Sequence, residues 1–412
     1  MGFAKSAWIE SQARGWDAPD TFVCAECFED EYLKSVVANH ASEKVCGYCN
    51  NTAAEPIAAP LSAVMEPIAG ALFAHFEEPG AAGLPRDSGE WIGEEKITYT
   101  ADALLSLPLH CEDDLFEDIA QAFHNTAWYP CAKGHWLSLH KHTELDYSWE
   151  NFVEEVKHGS RFFFGTVDLL EEIGEMAEQL GLVKTVPATT SLFRVRAARP
   201  GTPYKTFEEV GPPPPEAATA GRMNPAGISY FYTALDDETA VAEVVQSRSM
   251  QIVLASFTTK TDLLALDLAS LPVTPSVFDE KQFDEREAIL FLEGFVDAIT
   301  QPVAKDGREH IDYVPSQVVS EFFSQVFRTN AGDKLDAIVY PSAVLPEGRN
   351  LVMFPPRDFS YKLTDQIELR SIEHREVRQP LSRQARGVLM RLRLWWAMCR
   401  QRAAGMRQGS RL

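Results

Sequence analysis

Long apolar runs are missing from this chain. Nothing approaches the ~18 uninterrupted apolar residues of a membrane-spanning helix, and the opening Met1-Gly2-Phe3-Ala4-Lys5 lacks the apolar core of a secretory signal. A cytoplasmic protein is therefore expected. Basic residues are also scarce, 38 Lys and Arg against 60 Asp and Glu, for a net charge of -22. An acidic body repels nucleic-acid phosphates, so no nucleic-acid partner is expected. Seven cysteines in 412 residues do not make a disulfide-dense framework. Several catalytic signatures are absent as well: G-x-x-x-x-G-K-[ST], G-x-G-x-x-G, H-E-x-x-H and G-x-S-x-G do not occur. P-loop enzymes, kinases, zincins and α/β-hydrolases lose their main warrant. The start Met1-Gly2-x-x-x-Ser6 matches a myristoylation signal in form, a match common by chance.

What is present is ordinary globular material, 45% hydrophobic and 24% charged. The length allows about two to three domains, and composition divides the chain into four stretches. A four-cysteine module spans residues 20–52, and a mainly helical region spans 58–185. An α+β region spans 189–363, and an Arg-rich tail spans 371–412. From Ser371 to Leu412 there are ten Arg, no Lys and two Glu, a local +8. In the helical region, Cys111–Phe123 has an acidic first turn and apolar residues at helical spacing, and Val167–Leu182 repeats the pattern. The third region opens on strand-like Ser191–Arg196, then Gly211-Pro212-Pro213-Pro214-Pro215, which is neither helix nor central strand. Strands are expected at Ser229–Thr233, Ile252–Phe257 and Ala337–Tyr340, and helices at Thr239–Ser247 and Val314–Phe327.

Cys24-x2-Cys27 and Cys46-x2-Cys49 stand 18 residues apart, the spacing of a zinc site with four thiolate ligands. Each pair makes a tight knuckle, and two knuckles close a tetrahedron with arms of about 2.3 Å. Such a closed site is structural. A looser group, Cys131, His135, His140 and His142 with His110-Cys111-Glu112 upstream, resembles the H-x-E then P-C-x-x-C pattern of zinc deaminases. It fails at Gly134, where the second cysteine belongs, so core or solvated side chains are the better reading.

The richest stretch is Gly221-Arg222-Met223-Asn224-Pro225-Ala226-Gly227, followed by Tyr230-Phe231-Tyr232-Thr233-Ala234 and Ala240-Val241-Ala242-Glu243. A loop, a strand and a helix here offer an Arg, a Tyr and a Glu. Arg can grip a pyrophosphate bidentately, Tyr can lie against a ring, and Glu can bond ribose hydroxyls or stabilise a cation. Each also has a plain alternative: Arg222 capping a helix, Tyr232 as a core aromatic, Glu243 on a solvated helix face.

This stretch resembles the RES-domain family, in which a G-R-[WF]-N-x-x-G loop precedes a Y-[TL]-[AS] strand and an A-x-x-E helix. Ile338-Val339-Tyr340-Pro341-Ser342-Ala343 with Asn350–Phe354 looks like the family's closing Ser motif, and Tyr313-Val314-Pro315-Ser316-Gln317 is similar to the Y-x-P-[ST]-Q helix of longer members. Val156–Phe162 and the Cys pairs look like the N-terminal domain of those members. Met223 departs from the pattern, standing where the family has an aromatic.

The resemblance implies an α+β, ADP-ribosyltransferase-like fold acting on NAD as substrate. It implies a toxin or defence effector that cleaves the nicotinamide N-glycosidic bond, with inorganic phosphate as preferred acceptor. Mono-ADP-ribosyl transfer to a protein and NAD hydrolysis are the alternatives on the same fold, and a non-catalytic sensing protein is a third. By resemblance, Arg222 holds the NAD phosphates, Tyr232 lies against the nicotinamide or its ribose, and Glu243 bonds the ribose hydroxyls. Ser342 bonds the ribose or positions the nucleophile, and Arg194 binds pyrophosphate or the acceptor. An antitoxin protein is an expected partner, with restraint by the N-terminal domain as the alternative. Some N-terminal domains of this kind are related to HEPN ribonucleases, but the R-x4-6-H signature of those enzymes is absent. The basic, aromatic-rich segment Gly387–Arg400 is expected to dock on an anionic membrane or an acidic partner, or else to be a disordered tail or a helix packed on its own protein.

Overall fold

The computed structural model describes residues 11–87, 90–91, 97–133, 137–138, 141–163, 165, 167–199, 201, 204–245, 249–301, 309–356 and 362–378. The expected tail helix Gly387–Arg400 and the Met1–Ser6 match lie outside these residues, as do His135 and His140. No helix among the described residues is long and apolar enough to cross a membrane. The longer helices, numbered along the chain, are α1 (Glu31–His40), α2 (Leu61–His75), α3 (Thr100–Ser106), α4 (Asp113–Ala122), α5 (Lys141–Glu154), α6 (Val167–Gln179), α7 (Asp237–Val244), α8 (Phe283–Thr300) and α9 (Val314–Glu321). The chain divides into two compact units. One comprises Met1–Lys184, Ala220–Pro225 and Leu266–Leu335, and the other Thr185–Thr219, Ala226–Ala265 and Asp336–Leu412.

The first unit is mainly helical. Strand β1 (Phe22–Cys24) pairs antiparallel with β2 (Ala58–Pro60), and the chain leaves β1 directly into the Cys24–Cys27 knuckle. Asp30 caps α1 by accepting the Leu33 N–H at 2.9 Å, satisfying a donor that the helix start leaves orphaned. Apolar residues at helical spacing (Leu115, Ile119 and Ala122 on α4; Leu61, Val64, Met65, Ile68 and Leu72 on α2) turn inward. They share one core with Cys24, Cys27, Cys46, Leu33 and Trp128. The cysteine stretch and the helical stretch therefore share one core. A module of this size buries too little by itself and draws on α2 and α4. A second packing centre joins α5 to α8, where Trp149 meets Phe295 edge-on at 5.0 Å between ring centres.

The second unit is built on an eight-stranded sheet. Its strands are β3 (Val183–Val186), β4 (Ser191–Ala197), β5 (Phe231–Ala234), β6 (Ser249–Thr259), β7 (Leu263–Asp267), β8 (Ala337–Pro341), β9 (Arg349–Met353) and β10 (Ile367–Arg378), in the spatial order β3-β7-β8-β9-β5-β4-β6-β10. The α+β expectation holds, with a mainly helical region before the sheet. Helix α7 lies on one face, its Ala240 in a core with Val195, Ala234, Ile252 and Leu254. On the opposite face Phe231 and Phe257 meet edge-on at 5.1 Å.

Two differences from the sequence reading stand out. Ser371–Arg378, expected as the start of the tail, belongs to β10, which pairs with β6 over its whole length. The register shifts between Ser256 and Phe257, opposite Ser371 and Leu369, so Arg370 is an extra residue in β10. The bulge breaks the apolar alternation that would otherwise mark a strand. Helix α8 and strand β7 were not anticipated either. α8 carries a carboxylate on its inner side, burying Glu287 beside Ile289, Phe291, Leu292 and Phe295, and this interrupts the apolar spacing that sequence periodicity relies on.

Candidate active site and metal centre

Sheet register decides which side chains can meet. Directly paired residues share a face, and neighbours along a strand alternate. Ala234 pairs with Asn350, and Asn350 with Tyr340, while Tyr232 pairs with Val352. Ala234 and Val195 pack beneath α7. Tyr232, Asn350, Tyr340 and Ala234 therefore lie on the face that carries α7.

Helix α7 is started by Asp236, whose carboxylate accepts the Thr239 N–H at 2.6 Å and the Thr239 hydroxyl at 2.7 Å. This fixes the helix axis, and two turns later Glu243 faces the ends of β8 and β9. Ser342 Oγ donates to Glu243 Oε1 at 2.8 Å, and Asn350 Nδ2 donates to the same oxygen at 2.7 Å. Asn350 is only 5% exposed, so its amide is committed to this contact. Glu243 Oε2 accepts from no described residue. A carboxylate with one oxygen anchored and the other unbonded is a preorganised acceptor for a hydroxyl, or a stabiliser of developing positive charge.

Ser342 is itself held. Its Oγ accepts the N–H groups of Val344 and Leu345, each at 3.2 Å, while its proton goes to Glu243. The turn packs tightly: a Cβ on Gly348 would stand 2.7 Å from Thr239 Oγ1 and 3.1 Å from Ser342 Cβ. The structure thus gives Ser342 the task of orienting Glu243. The role expected from resemblance, a bond to ribose or nucleophile, meets a hydroxyl whose proton is already in use.

Arg194 is placed differently from that expectation. Val195 faces α7, so Arg194 faces the other side of the sheet, its guanidinium 5.3 Å from the Phe231 ring centre. Nη1 donates to the Tyr232 carbonyl at 2.6 Å. Burial, reinforced by the charge of Arg196, pushes its pKa down to about 9. Nε is buried with no partner among the described residues. The pleat puts Arg194 on the face opposite Glu243, where it braces the backbone of the Tyr232 strand. One-residue alternation separates it from the other site residues.

Arg222 lies in the first unit. Its Nη1 donates to the carbonyls of Gln301 at 2.9 Å and Ile299 at 3.4 Å, at the C-terminal end of α8. Helix carbonyls there lack internal donors and carry partial negative charge, so a cation is a natural cap. The plain alternative read from the sequence, helix capping, is what one edge of this guanidinium does. Nε and Nη2 have no partner among the described residues.

The metal centre is closed. Sγ–Sγ distances are 3.4 Å (Cys24–Cys49), 3.6 Å (Cys27–Cys46) and 3.8 Å (Cys24–Cys27), near the ~3.8 Å edge of a tetrahedron with arms of ~2.3 Å. All four sulfurs lie within 4.8 Å of one another, and among the described residues no other His, Cys, Asp or Glu group of three or more converges in this way. The set can hold a zinc ion. Burial pushes Cys24 up to about 11, with hydrogen bonds to Cys49 and Cys46 adding to it, and pushes Cys27 up as well. Burial alone would raise Cys46 too, but the N–H groups of Cys49, Tyr48 and Cys24 turned toward its sulfur hold it down to about 7. Of the looser His/Cys group, His142 Nδ1 is engaged with Glu287 Oε2 at 2.6 Å, and Cys131 Sγ faces the Phe73 carbonyl at 3.9 Å.

Asn350 is the residue that sequence reading passed over. It appears there only within the closing Ser motif, and its place comes from pairing across β8 and β9 to reach a helix more than a hundred residues earlier. Residues 191–371 match the RES domain, and residues 39–169 match the HEPN/RES N-terminal domain 1. No curated protein matches the chain.

Proposed function

The chain carries a RES domain behind an N-terminal HEPN/RES domain, a family linked in general to NAD-acting enzymes of toxin–antitoxin systems, and from that premise we propose that it cleaves the nicotinamide N-glycosidic bond of NAD. The observation that carries this reading is Glu243, held at one oxygen by Ser342 and Asn350, its other oxygen accepting from no partner among the described residues. As the C–N bond breaks, its electron pair leaves with neutral nicotinamide and positive charge develops on the ribose. The anchored carboxylate accepts a ribose hydroxyl and stabilises that charge, as carboxylates do at oxocarbenium-like transition states. Tyr232, on the same face, supplies an aromatic surface for the ring. Arg222, with one guanidinium edge open, supplies the cation for the phosphates. Inorganic phosphate is the proposed acceptor: one of its oxygens forms the new bond to the ribose carbon, giving ADP-ribose 1″-phosphate. Cys24, Cys27, Cys46 and Cys49 are proposed to hold a structural zinc, which takes no part in the chemistry. An antitoxin protein is the proposed partner. Because the Arg–His spacing of HEPN ribonucleases is absent, RNA cleavage is not part of the proposal.

The test is nicotinamide release from NAD by the purified protein, with and without phosphate. The expected outcome is phosphate-dependent release, abolished by Glu243→Ala and reduced at least a hundredfold by Arg222→Ala. Release that ignores phosphate moves the acceptor to water or a protein. Release that survives Glu243→Ala overturns the reading.

A further inference from the structure

The loop that presents Arg222 closes on itself in one direction only. Gly221 N–H donates to the Asn224 carbonyl at 2.9 Å, which runs opposite to an ordinary β-turn, where the first residue's carbonyl accepts from the fourth residue's N–H. This leaves the Gly221 carbonyl without its usual donor, in a segment where Met223 and Asn224 are fully or nearly buried.

α9 supplies further donors. Gln317 Nε2 donates to the Gly221 carbonyl at 2.8 Å and to the Asn224 carbonyl at 2.9 Å. One amide nitrogen has two N–H bonds, and here they span both ends of the loop. One turn face earlier, Ser316 Oγ approaches the Arg222 carbonyl at 2.6 Å as its donor. Both side chains are more than nine-tenths buried, so water does not compete for these carbonyls. Pro315 near the start of α9 and the Tyr313 carbonyl, which accepts the Gln317 N–H at 2.9 Å, set the pitch that aims the pair. The loop backbone is thereby tied at residues 221, 222 and 224, with the Arg222 guanidinium leaning on the end of α8 by Nη1 alone.

We propose that Gln317, assisted by Ser316, is the positioning residue for Arg222: it holds the loop so that the open guanidinium edge, Nε and Nη2, meets the phosphate groups of the substrate. The phosphate half of this inference rests on the function proposed above. The loop-holding half does not.

Gln317→Met keeps length and volume and removes both donors. In the full-length protein, hydrogen exchange of the 219–227 backbone is expected to rise at least tenfold, with the melting of the rest of the chain little changed. In nicotinamide release, KM for NAD is expected to rise about tenfold with kcat within threefold. In an Arg222→Ala background the same change is expected to alter KM by less than twofold, since a residue that acts only through Arg222 has nothing left to position. Unchanged exchange overturns the inference. So does an unchanged KM beside raised exchange, or a Gln317→Met effect that multiplies with Arg222→Ala. If the wild type releases no nicotinamide, the functional reading and the phosphate half fall together, and the exchange result alone decides whether Gln317 holds the loop.

Discussion

Asn350→Leu removes the second donor on Glu243 with little change of volume. The bond it deletes is 2.7 Å long, partly buried and made to a carboxylate, a class worth about 1.5–3 kcal/mol. Ser342 remains as the single anchor on Oε1, and the carboxylate becomes free to swing about it. If the anchoring energy is expressed in the transition state, kcat/KM for nicotinamide release falls about ten- to a hundredfold. Stability has two opposed terms: an apolar side chain replaces a buried amide, and a half-buried carboxylate loses one donor. A net change of about 1 kcal/mol in either direction is expected, so the variant remains folded. The assay is initial rate against NAD concentration, beside a thermal melt of the same preparation. Ser342→Ala is expected to cost a similar factor, and the two changes together are expected to be non-additive because both donors share one oxygen. A folded Asn350→Leu protein with kcat/KM within threefold of wild type would refute the clamp.

Two further predictions concern the metal centre and the Ser342 turn. In the metal-free site Cys24, at about 11, and Cys27, also raised by burial, both carry protons at neutral pH. Zinc must displace at least these two, so lowering the pH by one unit weakens its binding at least about a hundredfold, or ~2.7 kcal/mol. The sign follows from proton count: the metal-free form binds more protons and is favoured by acid. Chelator competition at pH 7 and pH 8 measures this, and a change below tenfold contradicts it. Because three of these cysteines sit in the core of the first unit, chelation is also expected to lower the melting temperature. Separately, Gly348→Ala would set a Cβ 2.7 Å from Thr239 Oγ1 and 3.0 Å from the Leu345 carbonyl. The expected cost is about 1–3 kcal/mol, seen as a melting shift together with lost nicotinamide release. Full activity in that variant would show that the turn tolerates displacement.

The local chemistry of the chain was open to reading before any coordinates. Cysteine spacing announces a four-thiolate cluster because two knuckles need only short loops. The helix bearing Glu243 is legible as Thr239–Ser247, against Asp237–Val244 for α7, and β4 as the strand-like Ser191–Arg196. The order of Arg222, Tyr232, Glu243 and Ser342 marked the region that the RES domain occupies. The knuckles, the helix and the strand each lie within a turn or a single element, where backbone preference and side-chain period act without help from distant residues.

Long-range pairing decided the rest. Whether Arg194 stands beside Glu243 or behind the sheet depends on the register of β4 against β6, in which Arg194 pairs with Ala255 and Val195 with Leu254; a slip of one residue would exchange the two faces. Asn350 becomes a partner of Glu243 only when β9 lies between β8 and β5. Gln317 reaches the Arg222 loop across more than ninety residues of chain. Residue types and spacings therefore determined which chemistries the chain can carry. Tertiary structure assigned the tasks, because hydrogen-bond partners separated in sequence are chosen by the packing of faces, and that choice minimises a free energy summed over the whole core.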